Sequence, residues 1–96
     1  MDKREVFLLT RPPSSNRTKL CLLMLQHSEK AVLYLAGDGV YNLLNALSRS
    51  ELQIRACRED IEARGLDAGC YASATDNFYE LLAREMISEG SKVYSF

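Results

Sequence analysis

The sequence predicts an α/β domain built as a compact three-layer sandwich, with a mostly parallel sheet of four to five strands and helices on both faces. Three features support this. Short apolar runs alternate with helix-forming segments from end to end, the order that generates β-α-β units. The run "AVLYLA" is apolar throughout, as a central parallel strand buried on both faces should be. The 96 residues contain no repeat, linker or low-complexity stretch, so residues 1–96 form a single domain.

From the N-terminus, "EVFLLT" is a short strand that "RPP" ends, and Ser14, Ser15 or Asn16 offers an N-cap for the first helix. That helix, "TKLCLLMLQH", Thr18 to His27, has no Gly or Pro and is mostly good helix formers. Its apolar residues Leu20, Cys21, Leu22, Leu23, Met24 and Leu25 exceed one buried face, so cover on a second side is expected, from another subunit. "GDG" breaks the "AVLYLA" strand, with Asp38 or Gly39 as the cap of a second helix, "VYNLLNALS". "ELQIRAC" alternates Leu52, Ile54 and Ala56 against Gln53 and Arg55 and so reads as a strand with one apolar face. "REDIEARG" gives one or two helical turns, acidic early and closed by Gly65 at C′. "CYAS" is a short fourth strand. "TDNFYELLAREMISEG" is the strongest helix, capped by Thr75 or Asp76 and ended by Gly90. Phe78, Leu81, Leu82, Glu85 and Met86 fall there at helical spacing. "KVYSF" closes the chain as a last strand.

Composition excludes several function classes. Apolar content of 47% and charged content of 26% are ordinary for a globular protein. Twelve basic against thirteen acidic residues give no general attraction to nucleic acid or anionic lipid, so direct nucleic-acid binding is not expected. An apolar run as short as Ala31 to Ala36 cannot cross a bilayer, and no signal peptide precedes it; no membrane association is expected. Three cysteines at wide, irregular spacing do not make a disulfide framework. They point to a reducing compartment and a cytoplasmic location.

Cys57 stands out among the three. It ends a strand, and in open α/β sheets reactive groups gather at the carboxyl ends of strands. It also begins a helical segment, where unpaired N–H groups favour a thiolate. Arg55 and Arg58 add positive potential as candidate thiolate-stabilising residues, and Glu59 and Asp60 oppose them. A thiolate there would suit attack on a sulfur atom or storage of one as a persulfide. Taken alone, such a cysteine is more often a small buried hydrophobe.

The other motifs carry less. Cys21 lies within the first helix among leucines, where packing is the expected role and persulfide relay the secondary one. Cys70 falls at the start of a strand, the wrong end for the crevice. The cysteines lack Cys-x-x-Cys spacing and only His27 could join them, so no metal is expected. His27 suits a helix C-terminus. "GDG" lacks the third glycine of a dinucleotide fingerprint, so Asp38 reads as a cap or turn former. "PPSSNRTK" has the make-up of an anion-binding loop, as in flavin-phosphate sites.

The succession "VLYLAGDGVYNLL", "CREDIEARGL" and "TDNFYELL", with an aromatic last residue, resembles the DsrE/DsrF/DsrH superfamily. Within it the chain is most similar to the small DsrH/TusB-like members. The resemblance spans nearly the whole chain and rests on Asp38-Gly39, Ala63-Arg64-Gly65 and Asp76 with Phe78. It implies a compact oligomeric α/β domain that relays sulfur as cysteine persulfide, in tRNA 2-thiouridine formation or in oxidative sulfur metabolism. In DsrE/TusD-type subunits the sulfur-carrying cysteine precedes a helix ending in Arg-Gly, the place Cys57 occupies before Arg64-Gly65. Many DsrH/TusB-like chains lack a cysteine there and act as structural partners.

The resulting expectation is a sulfurtransferase-like relay subunit working by thiol–persulfide exchange, with no cofactor. Its partners would be DsrE/DsrF-like subunits in a homo- or hetero-oligomer, together with sulfur donor and acceptor proteins. The alternative is a noncatalytic structural subunit of such an oligomer. A third reading, an anion- or nucleotide-binding domain using "PPSSN", is the weakest.

Overall fold

The computed structural model describes residues 5–28, 30–44, 53–66, 72–87 and 92–96 of the chain. In order these form β1 (Glu5–Leu9), α1 (Asn16–Gln26), β2 (Ala31–Leu35), a 3₁₀ helix (Gly37–Leu44), β3 (Gln53–Cys57), α2 (Arg58–Ala63), β4 (Ala72–Thr75), α3 (Phe78–Met86) and β5 (Lys92–Ser95). The strands make one five-stranded sheet in the order β4-β3-β2-β1-β5, and every neighbouring pair is parallel. Strand β2, the "AVLYL" run, is at the centre, and four of its five residues are buried.

Topology decides which face each helix covers. From β1 to β4 the chain steps one way across the sheet, so right-handed crossovers place those connections on one face. The return from β4 to β5 runs the other way, and its helix belongs on the opposite face. Packing follows this rule. On the first face Phe7, Leu9, Leu33, Leu35, Ile54 and Ala56 meet Cys21 and Leu25 of α1, Val40 of the 3₁₀ helix and Ile61 of α2. On the second, Val6, Val32, Tyr34 and Cys57 meet Phe78 and Leu82 of α3. The result is the three-layer α/β arrangement that the alternation of elements predicts.

Several local expectations are met and others change. Ser15 caps α1, its side chain accepting from the Arg17 N–H at 3.2 Å. His27 is the C-cap of the same helix. Gly65 sits at φ +64°, where its N–H donates to Glu62 O and the Leu66 N–H donates to Ile61 O. These are the two bonds of a Schellman closure, with Leu66 packed back on the core cluster that contains Ile61. The segment after "AVLYLA" is a 3₁₀ helix that begins at Gly37 rather than an α-helix capped by Asp38 or Gly39. Gly39 is required for a different reason: a Cβ there would collide with the backbone of Leu9. Helix α3 starts on Asn77, and neither Thr75 nor Asp76 caps it. Strand β4 is Ala72–Thr75, two residues beyond "CYAS"; Cys70, Leu52 and Gly90 lie outside the described residues.

Two segments expected to meet another subunit make these contacts within their own chain. Tyr94 and Phe96 stack on Phe7 of their own chain, with centroids 5.1 Å and 6.3 Å apart. The first helix buries Thr18, Cys21 and Leu25, whereas Leu20 and Leu23 are half exposed. Among the described residues no helix is long and apolar enough to cross a membrane.

Candidate functional site

Helix packing directs the connection after β3 toward the first face and the connection after β4 toward the second. Adjacent parallel strands whose following connections part in this way leave a crevice at their carboxyl ends, where α/β proteins place their sites. Cys57 is the last residue of β3 and Thr75 the last of β4, and the two are register partners. One residue further on each side, Arg58 Nε and Asp76 Oδ1 form an ion pair at 2.6 Å across the mouth. The cysteine singled out in the sequence therefore lies at the carboxyl edge of the sheet, where the connections after β3 and β4 leave toward opposite faces.

The three short motifs behind the family resemblance make contacts at the two ends of α2 and beside β2. Arg64, from "ARG", donates from Nη2 and Nε to Asp38 Oδ1, from "GDG", at 3.1 Å and 3.3 Å. Its guanidinium also lies 5.8 Å from the ring centroid of Tyr41. Asp76 holds Arg58, and Phe78 packs edge-on to Tyr34 at 5.3 Å within the cluster that contains Cys57. The Arg58–Asp76 pair thus lies at the start of α2 and the Arg64–Asp38 pair at its end.

Asp60 ties α2 to the chain leaving β2. Its Oδ2 accepts from the Gly37 N–H at 2.8 Å, and its Oδ1 faces Arg64 Nη1 at 3.5 Å. Leu35 is the register partner of Ala56, so the chain leaving β2 at Gly37 runs beside Cys57.

Cys57 is only 5% exposed, and burial pushes its pKa up. The Asp60 carboxylate acts in the same direction, by accepting the thiol proton in a hydrogen bond and by repelling a thiolate. The N–H groups of Asp60 and Glu59 pull the other way and are outweighed. The competition the sequence left open between helix start and acidic neighbours resolves toward the thiol. Neither arginine is among the groups that set this balance. Arg58 is turned to Asp76, while Arg55 is half-buried and its Nε has no hydrogen-bond partner among the described residues.

The remaining candidates are structural. Cys21 is fully buried, and burial pushes its thiol up to about 12, as befits a packing residue. Beside the "PPSSN" loop, Thr18 Oγ1 donates to the carbonyls of Arg11 and Pro12, and Asn42 Nδ2 donates to Arg11 O. No group of three or more His, Cys, Asp or Glu side chains among the described residues is placed to hold a metal ion. Asp60, which the sequence marks only as an opposing charge, and Arg64, which it marks only as part of a motif, gain defined partners in the fold. The three-residue spacing from Cys57 to Asp60, that of an N-cap and its N3 partner, was the available signal.

Comparison with protein-family models, with curated proteins and with solved structures finds no match.

Proposed function

We propose that the chain is a sulfur-relay subunit in which Cys57 carries sulfur as a persulfide. The observation that supports this most is the position of Cys57 at the carboxyl end of β3 and the start of α2, beside β4, whose following helix packs on the opposite face. The ordered resemblance to DsrE/DsrF/DsrH proteins, of whose motif residues Phe78 packs in the cluster of Cys57 and Asp76 pairs with the adjacent Arg58, adds to it.

The chemistry is thiol–persulfide exchange. Cys57, once deprotonated, attacks the outer sulfur of a donor persulfide. A new S–S bond forms on Cys57 and the donor S–S bond breaks. The donor thiolate leaves with the electron pair and takes up the proton Cys57 gave up. Passing the sulfur to an acceptor thiol repeats the exchange in the forward direction. Neither step is a net oxidation or reduction, and neither calls on a cofactor. DsrE/DsrF-like subunits and sulfur donor and acceptor proteins are the partners this reading assigns. The end use is tRNA 2-thiouridine formation or oxidative sulfur metabolism, and the setting is the cytoplasm.

One observation favours a second reading. A thiol 5% exposed within an apolar cluster is also what packing alone would produce, and Leu20 and Leu23 on α1 present apolar surface for assembly. In that case the chain is a noncatalytic structural subunit. Incubation with a persulfide donor, followed by intact-mass and peptide mass spectrometry, separates the two. The relay reading expects one added sulfur on Cys57, absent in Cys57→Ser. No loading, together with unimpaired partner binding and partner transfer by Cys57→Ser, establishes the structural reading instead.

A further inference from the structure

We propose that Arg55 anchors an anion subsite beside Cys57, taking the carboxylate of a small thiol or persulfide whose sulfur reacts at that cysteine. The inference deepens the relay reading by naming a substrate class, and it rests on that reading.

Strand geometry puts the two side chains on one face. Ile54 and Ala56 pack into the cluster of the first face, and Cys57 into that of the second. Side chains alternate along a strand, so Arg55 projects on the second face together with Cys57. Two residues of rise set their Cα atoms about 6.6 Å apart. That separation suits a molecule whose carboxylate and sulfur lie a few bonds apart, as in a β-mercapto carboxylic acid.

The charge of Arg55 is unmatched in the fold. Arg55 and Arg64 are the two half-buried arginines among the described residues, and the other described arginines are exposed. Arg64 lies against two carboxylates, those of Asp38 and Asp60. Arg55 forms no ion pair among the described residues, and its Nε is buried without a hydrogen-bond partner. Its register partners, Tyr34 on β2 and Ser73 on β4, are not acidic, so the neighbouring strands offer no counter-charge at its level. Two acids near the start of α3 are engaged elsewhere, Asp76 with Arg58 and Glu80 with Arg84.

A guanidinium partly withdrawn from water with no carboxylate opposite is unfavourable for folding, and an arriving anion would supply the missing partner. A carboxylate fits best, because the planar donors of arginine can meet both of its oxygens. Arg55 is also not among the groups that set the proton affinity of Cys57. Its charge is therefore left to act on the incoming molecule.

The test is site-resolved alkylation of Cys57 in the full chain at one alkaline pH, with iodoacetate and its neutral counterpart iodoacetamide, read by peptide mass spectrometry. Both reagents consume the same thiolate, so the ratio of their rates cancels changes in its proton affinity and exposure. Arg55→Met keeps an apolar stem, removes the charge and should lower the iodoacetate-to-iodoacetamide ratio by about three- to tenfold. Arg55→Lys keeps the charge without the fork and should restore part of that loss. Arg17→Gln removes the same charge from the exposed side of α1 and should leave the ratio unchanged. An arginine with a merely structural role would, on removal, speed both reagents together. An unmoved ratio in Arg55→Met, or an equal fall in Arg17→Gln, overturns the proposal. Should Arg55→Met fail to fold, Arg55→Lys decides alone: a fall of about twofold or more supports the subsite, and a smaller change overturns it. Persulfide loading of the unaltered protein is measured beside these. A chain that takes no sulfur yet shows the Arg55-dependent ratio has lost the relay reading and kept the subsite, and loading with an unmoved ratio does the reverse.

Discussion

Phe78 is the side chain on which crevice and fold both depend, and its truncation is the most informative perturbation. The ring is 1% exposed and stands edge-on to Tyr34 at 5.3 Å and to Tyr79 at 5.1 Å. It is one of two fully committed contacts that α3 makes with the second face of the sheet, the other being Leu82. Phe78→Ala should cost about 3–5 kcal/mol, the range for a buried aromatic whose cavity does not collapse. About 0.5–1.5 kcal/mol of that belongs to the lost aromatic pairing. A domain of this length has a total stability of about 5–14 kcal/mol, so the loss is large but survivable. With a urea dependence of about 2 kcal/mol per molar, the unfolding midpoint should fall by about 2 M. Phe78→Leu keeps most of the volume and should lose about 1.5 kcal/mol or less. Because Phe78 packs in the cluster that encloses Cys57, native-state alkylation of that thiol should also accelerate in the Ala variant. An Ala variant losing less than about 1 kcal/mol, with Cys57 alkylated no faster, would refute the packing of α3 over the second face.

Two glycines should respond differently to the same change. Gly39→Ala places a Cβ 2.8 Å from the Leu9 carbonyl carbon and nearer still to its oxygen, so backbone must move and about 1–3 kcal/mol or more should be lost. Gly65→Ala meets nothing within 4 Å and suffers only from its φ of +64°, a net cost of about 1 kcal/mol once the stiffer unfolded chain is counted. Thermal melts of both variants check the ranking, and a larger loss at Gly65 contradicts it. Cys21 should make stability fall at high pH. Below the ordinary thiol value of 9.0 it is protonated folded and unfolded alike; between there and about 12 only the unfolded chain ionises, so unfolding is favoured as pH rises. The slope should approach but not exceed about 1.4 kcal/mol per pH unit. Urea titrations of the unaltered protein and Cys21→Ala across that range test it, the prediction failing if the two curves stay parallel.

The sheet was legible from the sequence because its signals are local. Apolar strand runs, an N-cap serine at Ser15 and a C′ glycine at Gly65 each declare themselves within a few residues. The elements misjudged were those whose form is settled by distant partners. The turn after β2 is drawn into a 3₁₀ helix whose Gly39 lies against Leu9. Asp76 gives up capping for Arg58, and Tyr94 and Phe96 find Phe7 through the pairing of β5 with β1. No periodicity within a segment reports such contacts.

Residue order alone was enough to establish the alternation of strands and helices, the central place of "AVLYL" and the location of Cys57 at a strand end. It could do so because backbone preference and side-chain polarity act over a few bonds. Only the assembled fold settled that Cys57 lies between diverging connections, that its sulfur is enclosed among apolar side chains, and that Asp60 is tied to the Gly37 N–H and to Arg64. Proton affinity depends on the field and solvent at a point in space, and that point is built by β2, β3 and the starts of α2 and α3 together.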